Sequence, residues 1–157
     1  LNTEQMQEMM EAAGSCAVTM HRAFDVCADP FEALKKSAEL GVDTILTSGQ
    51  EADCLAGCGL LKKLVQLTDQ SRSDSRRVTI LAGAGVTSVN IAEIAKKTGV
   101  RAFHMSGKRL LESGMRYRNE SVHMGLGSLS EFECYRTDEA EIRRAAEILR
   151  TLGEDGR

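Results

Sequence analysis

Apolar positions along the chain fall into two alternating patterns. Four short runs rich in β-branched or apolar residues, each bounded by glycine or polar residues, occupy positions 17–20, 44–47, 78–82 and 101–105 and predict strands. Between them apolar residues recur at helical spacing: Phe31, Leu34, Ala38 and Leu40, then Leu60, Leu61, Leu64, Val65 and Leu67, then Val89, Ile91, Ile94 and Ala95. A helix over about 2–13 precedes the first strand, and another over about 138–152 closes the chain with Ile142, Ala145, Ala146 and Leu149 on one face. Asp29 and Pro30 mark a helix start, because the carboxylate accepts from free N–H groups and proline lacks the N–H that would go unpaired; Gly41 marks its stop. Residues 70–77, carrying Ser, Arg and Asp, read as a surface loop.

Strand and helix alternate roughly every 30 residues, the length of a βαβ unit, so the sheet is expected to be parallel with right-handed crossovers. No strand is followed by a Gly-x-Gly-x-x-Gly turn or a P-loop, which turns the reading from a dinucleotide fold toward a TIM (β/α)8-type barrel. Polar residues gather where such a barrel places its mouth, just after each strand: His21-Arg22, Ser48-Gly49-Gln50, Gly83-Ala84-Gly85 and Ser106-Gly107-Lys108. A closed barrel runs to about 250 residues, so four strands in 157 residues amount to about half of one. Half a barrel leaves two parallel edges and an apolar interior open, which predicts association with the missing half or with another copy of the chain.

Charge and cysteine content narrow the partners. A formal charge of -3, from 20 Lys and Arg against 23 Asp and Glu, disfavours a general nucleic-acid binder. No run approaches the roughly 18 apolar residues of a membrane span, and the first residues lack the basic and apolar regions of a secretion signal. The five cysteines form no Cys-x-x-Cys pair and read as reduced thiols of a cytoplasmic protein. Residue 1 is Leu and opens directly on helix-like sequence, as expected of a piece of something longer.

Four motifs then carry a resemblance: His21-Arg22-Ala23-Phe24-Asp25, Leu46-Thr47-Ser48-Gly49, Phe103-His104-Met105-Ser106-Gly107 and Met115-Arg116-Tyr117-Arg118-Asn119. In this order they resemble the C-terminal part of the CutC copper homeostasis family, over about residues 2–152. The resemblance implies an eight-stranded barrel of which this chain supplies the last four strands and their helices. It also implies a post-barrel extension over 110–136, a C-terminal helix over 137–153, and copper as the bound metal. The copper ligands proposed for the family lie largely among cysteines of its N-terminal half, which has no counterpart here. The family's Gly-rich turn after the seventh strand reads Ala82-Gly83-Ala84-Gly85, and a β-carbon at residue 84 restricts close backbone approach to a ligand.

Four groups of residues are candidates for chemistry. Strand alternation points His21 into the mouth, where it could bind a ligand or move a proton, with Arg22 and Asp25 beside it. By the same alternation Phe103 and Met105 face the helices while His104 and Ser106 face inward, so the two histidines are expected to converge. Ser48 and Gly49, with Gly83, Gly85, Ser106, Gly107 and Lys108, would cradle a small anionic, phosphorylated ligand against backbone N–H groups. Cys54 and Cys58, four apart, could share a helix face and bind Cu(I), although free cysteines are usually small buried hydrophobes. Three functions stay open: a CutC-type copper homeostasis protein, a barrel enzyme or sensor for a small anion, and an inactive fragment.

Overall fold

The computed structural model describes residues 1–70, 77–122, 124–125 and 130–155. The interior of the loop expected over 70–77 therefore lies outside the described residues. The elements are helix α1 (Thr3–Ala13), strand β1 (Thr19–Met20), a 3-10 helix (Arg22–Val26), α2 (Pro30–Glu39), β2 (Thr44–Thr47), α3 (Cys58–Gln70), β3 (Thr79–Ala82), α4 (Ile91–Thr98), β4 (Ala102–Phe103), β5 (Lys108–Glu112), β6 (Glu133–Thr137) and α5 (Glu139–Asp155). The four expected strands form one parallel sheet in the order β1-β2-β3-β4, so the chain is α/β and compatible with part of a barrel. The sheet is open among the described residues.

Local chemistry places the helices. Asn2 caps α1 by accepting from the Gln5 N–H, and Asp29 caps α2 by accepting from the Phe31 and Glu32 N–H groups, with Pro30 in the first turn. Gly99 ends α4 in the left-handed region at φ 77°, which a β-carbon would disfavour. Helix α2 ends at Glu39 with Leu40 as its cap and Gly41 next, at φ 83°, as the expected stop. One boundary differs from the sequence expectation: α4 starts at Ile91, leaving Val89 90% exposed rather than on a packed face. The pattern alone counted Val89 as helical because its spacing from Ile91 and Ile94 could not reveal the turn through which Asn90 accepts from the Thr87 N–H.

The core lies between the sheet and the helices. Ile45, Thr47, Ile80 and Ala82 point into it with Phe24, Leu61, Leu64, Ile91 and Ile94. Met20, Phe103 and Met105 also pack against it, as strand alternation predicted. The other face carries a threonine row in register, Thr19–Thr44–Thr79, and an apolar row, Leu46–Leu81–Ala102, none of them buried. Met6 and Met10 seat α1 on the core while Met9 faces out.

Beyond the sheet, largely within the extension expected over 110–136, the structure adds an element that the sequence pattern did not assign. Strands β5 and β6 form an antiparallel ribbon with Leu110 opposite Tyr135, held at its base by the Asp138 N–H donating to the Gly107 carbonyl. Its charged alternation, Lys-Arg-Leu-Leu-Glu, lacks the apolar face that marks a half-buried strand, which is why periodicity missed it. Of that extension, residues 123 and 126–129 lie outside the described residues.

Candidate functional site

The site is built on the short 3-10 helix that follows β1. Phe24, fully buried, anchors it in the core, and Asp25 beside it reaches the C-terminal end of β2. There its carboxylate accepts from the Thr47 hydroxyl at 2.5 Å, from the Ser48 hydroxyl at 3.0 Å, and from the Ser48 and Gln50 N–H groups at 3.1 and 3.2 Å. It also accepts from Arg22 Nε at 2.7 Å, and Arg22 Nη2 donates to the Ser48 hydroxyl at 2.9 Å. Burial works to raise the Asp25 pKa, but the Thr47, Arg22, Ser48 and Gln50 donors outweigh it and hold the carboxyl below its ordinary value. The turn after Thr47 needs glycine at residue 49. Its φ is 76°, and a β-carbon there would lie 2.4 Å from the Gly57 carbonyl oxygen.

These contacts assign parts to most of the first motif. Arginine has five N–H donors, of which the Asp25 and Ser48 contacts use two, so three remain available on a guanidinium fixed in place. Ser48 and Gly49 are buried and shape the support beneath Arg22. His21 caps the 3-10 helix, its Nδ1 accepting from the Ala23 N–H at 3.0 Å.

A cleft of about 740 Å³ opens at the C-terminal ends of the strands. Arg22 and Leu46 form one wall, residues 84–87 and 104–108 form the next two, and Asp138 and Glu141 at the start of α5 complete it. His104 and Lys108 line this cleft but His21 does not, so the structure does not bring the two imidazoles together there. Gly83 lets the strands approach, since a β-carbon on it would meet Leu46 Cδ1 at 2.5 Å and His104 Cβ at 3.4 Å. Ala84 and Gly85 have φ of 75° and 73°, and the Ala84 carbonyl is turned to accept from the Cys54 N–H at 3.0 Å. Among the described residues, the N–H groups of Ala84, Gly85, Val86, Met105, Ser106 and Gly107 donate to no protein acceptor.

The two acids of the cleft are already engaged. Asp138 Oδ1 accepts from the Ala140 N–H at the start of α5. Glu141 accepts from the Ser88 N–H at 2.6 Å and its hydroxyl at 2.8 Å, and pairs with Arg144 at 2.9 Å. The Ser88 N–H, then its hydroxyl and Arg144, hold the Glu141 pKa below its ordinary value. Lys108 Nζ stacks 4.1 Å from the Tyr135 ring centroid at the cleft's rim. The residues lining the cleft thus combine unpaired N–H groups and the cations Arg22 and Lys108 with two hydrogen-bonded acids, Asp138 through one oxygen and Glu141 through both, an arrangement suited to an anion. Sequence reasoning missed Ser88 and Glu141, which lie 53 residues apart. The only local signal was Asp138-x-x-Glu141, which reads as a helix start.

Copper finds no such fit. Among the described residues no group of three or more His, Cys, Asp or Glu side chains could hold a metal ion. Cys54 is fully buried and burial pushes its thiol up to about 11; burial also raises Cys58, whose Sγ donates to the Cys54 carbonyl. A metal at either sulfur would have to displace the thiol proton against this burial, since the thiolate is the ligand.

The sequence model of the CutC family matches residues 1–109. The chain is 48% identical over 147 residues to a family protein CutC of Bacteroides fragilis, covering 94% of this chain and 55% of that protein. It is 45% identical over 139 residues to its counterpart in Parabacteroides distasonis, with coverages of 88% and 55%. With the family protein CutC of Salmonella agona the identity is 40% over 150 residues, with coverages of 95% and 57%. The chain thus spans little more than half the length of the curated relatives it matches.

Proposed function

Because the chain belongs to the CutC family, we propose that it is part of a cytosolic copper homeostasis protein of that type, and that its own share of the function is to hold a small anionic ligand in the cleft at the C-terminal ends of the strands. One observation carries the ligand class. Arg22 is fixed through Asp25 and Ser48 with three N–H donors left over, at the wall of a cleft whose loops present six further unpaired N–H groups. Oxyanions such as phosphate match that donor set. Copper enters this reading as cargo whose ligands come from outside the described residues, which supports neither Cys54 nor Cys58 as a thiolate ligand. The five free cysteines suit a reducing compartment.

The partner in this reading is the remainder of the barrel or a second copy of the chain, covering the face that bears Leu46, Leu81 and Ala102. Parallel sheets are normally covered on both faces, and this one has helices on one. The test is a titration with inorganic phosphate followed by calorimetry and amide shifts. Saturable binding that perturbs Gly85 and Gly107, and weakens at least about tenfold in Arg22→Gln, is expected. A Cu(I) chelator competition on the same sample should show no tight Cu(I) on this chain alone. Absence of phosphate binding to folded protein, or binding indifferent to Arg22, would sink the anion reading and leave an inactive segment.

A further inference from the structure

A second cavity shares no lining residue with the cleft. It is a groove of about 570 Å³ between α4 and α5, floored by Ala95, Val100, Phe103, Leu149 and Leu152 and edged by Lys96 and Arg101. Phe103, Leu149 and Leu152 are only partly buried, so apolar surface remains open to water there. Its size falls within the roughly 300–1,000 Å³ of small-molecule sites. Its nine lining residues are far fewer than the 20–30 or so that one side of a protein interface uses, which disfavours a protein occupant.

Charge selects the head group. Among the described side chains Lys96 and Arg101 make no ion pair, and none of those lining the groove or the adjoining cavity of about 250 Å³ that shares Gly99, Val100 and Arg101 is a carboxylate. Lys96 lies in the last turn of α4 and suits the negative end of that helix, but Arg101 lies beyond the Gly99 cap and has no such role. The C-terminal backbone ends of α4 and α5 each contribute about half a negative charge, less than the full charge on either Lys96 or Arg101.

We propose that this groove binds an amphiphilic anion, its acyl chain on Phe103, Leu149 and Leu152 and its carboxylate met by Lys96 and Arg101. The site is separate from the cleft and requires nothing of the anion reading given for it. Octanoate, octylammonium and 1-octanol share one chain and differ in head group, so calorimetric titration of the full chain with each separates the terms. Octanoate is expected to bind best, to strengthen about fourfold per methylene from hexanoate upward, and to shift the Gly99 and Gly153 amides. Lys96→Gln/Arg101→Gln should weaken it at least about tenfold while leaving octanol unchanged. Ala95→Leu fills the groove and should block all three, whereas Lys62→Gln on the exposed face of α3 should block none. Octylammonium binding more tightly than octanoate overturns the proposal. So does octanoate binding that ignores both the double variant and Ala95→Leu, or no binding to the folded protein.

Discussion

Replacing Asp25 by asparagine tests whether one carboxylate organises the cleft wall. Asparagine keeps an oxygen for Thr47 and Gln50 but sets an amide NH2 where Oδ2 accepts from Arg22 Nε, so two donors face each other. The Asp25 side chain is 7% exposed and that of Arg22 45%. Breaking a fully buried pair costs about 3–5 kcal/mol and an exposed pair is worth at most about 1 kcal/mol, so a loss of about 2 kcal/mol is expected here. With a urea m value of roughly 2 kcal/mol/M, the unfolding midpoint falls by about 1 M. The pH dependence gives a second reading. Because the folded-state pKa of Asp25 is depressed, its contribution is complete above about pH 4, the ordinary aspartate value, and is lost as the pH falls through the folded pKa. The difference between wild type and variant should stay level from pH 8 to about pH 5 and close below about pH 4. Freed from its anchor, Arg22 should also bind phosphate several-fold more weakly. A midpoint within about 0.2 M of wild type, or a gap that widens on acidification, would refute the reasoning.

Three further outcomes follow from the same geometry. Ala84→Gly relieves a β-carbon held at φ 75° and should stabilise by about 0.5–1 kcal/mol after the unfolded-state entropy of glycine is subtracted, measured by urea unfolding. Gly49→Ala combines positive φ with a 2.4 Å approach to the Gly57 carbonyl oxygen and should cost about 3 kcal/mol in the same assay. At pH 8 a thiol reagent should label the exposed Cys16 and Cys134 quickly and Cys54 only on unfolding; prompt labelling of Cys54 in folded protein would contradict its burial.

What the sequence revealed and what it withheld divide along physical lines. Asp29, Pro30 and the β-branched runs act on their own neighbours, so α2 and the four parallel strands were readable from local pattern. The assignment of His21 and His104 to a common pocket relied on extending strand alternation past the strand ends. At residue 21 the chain has already left β1 for a 3-10 helix, and the imidazole turns to cap it. Arg22 was visible as a member of its motif, but its fixation depends on Ser48, 26 residues away. The Ser88–Glu141 contact and the β5–β6 ribbon depend on pairings across 53 and about 25 residues, and nothing in either segment's own periodicity announces them.

The uncovered sheet face and the cleft share a wall, and that sharing has a thermodynamic consequence. Leu46 belongs both to the apolar row with Leu81 and Ala102 and to the lining of the cleft beside Arg22. An element that covers the row must therefore reach the edge of the ligand site, excluding water from the guanidinium and strengthening its hold on an anion as the local dielectric falls. The two binding events are then linked, and by reciprocity the anion must raise the affinity of the covering element by the same factor that the element raises the affinity of the anion. Phosphate affinity measured on this chain alone would on that account be a lower bound for any assembly in which that row is covered. Adding the complementary portion of a barrel should increase that affinity while leaving its dependence on Arg22 intact, because the fixation of Arg22 by Asp25 and Ser48 is complete within this chain.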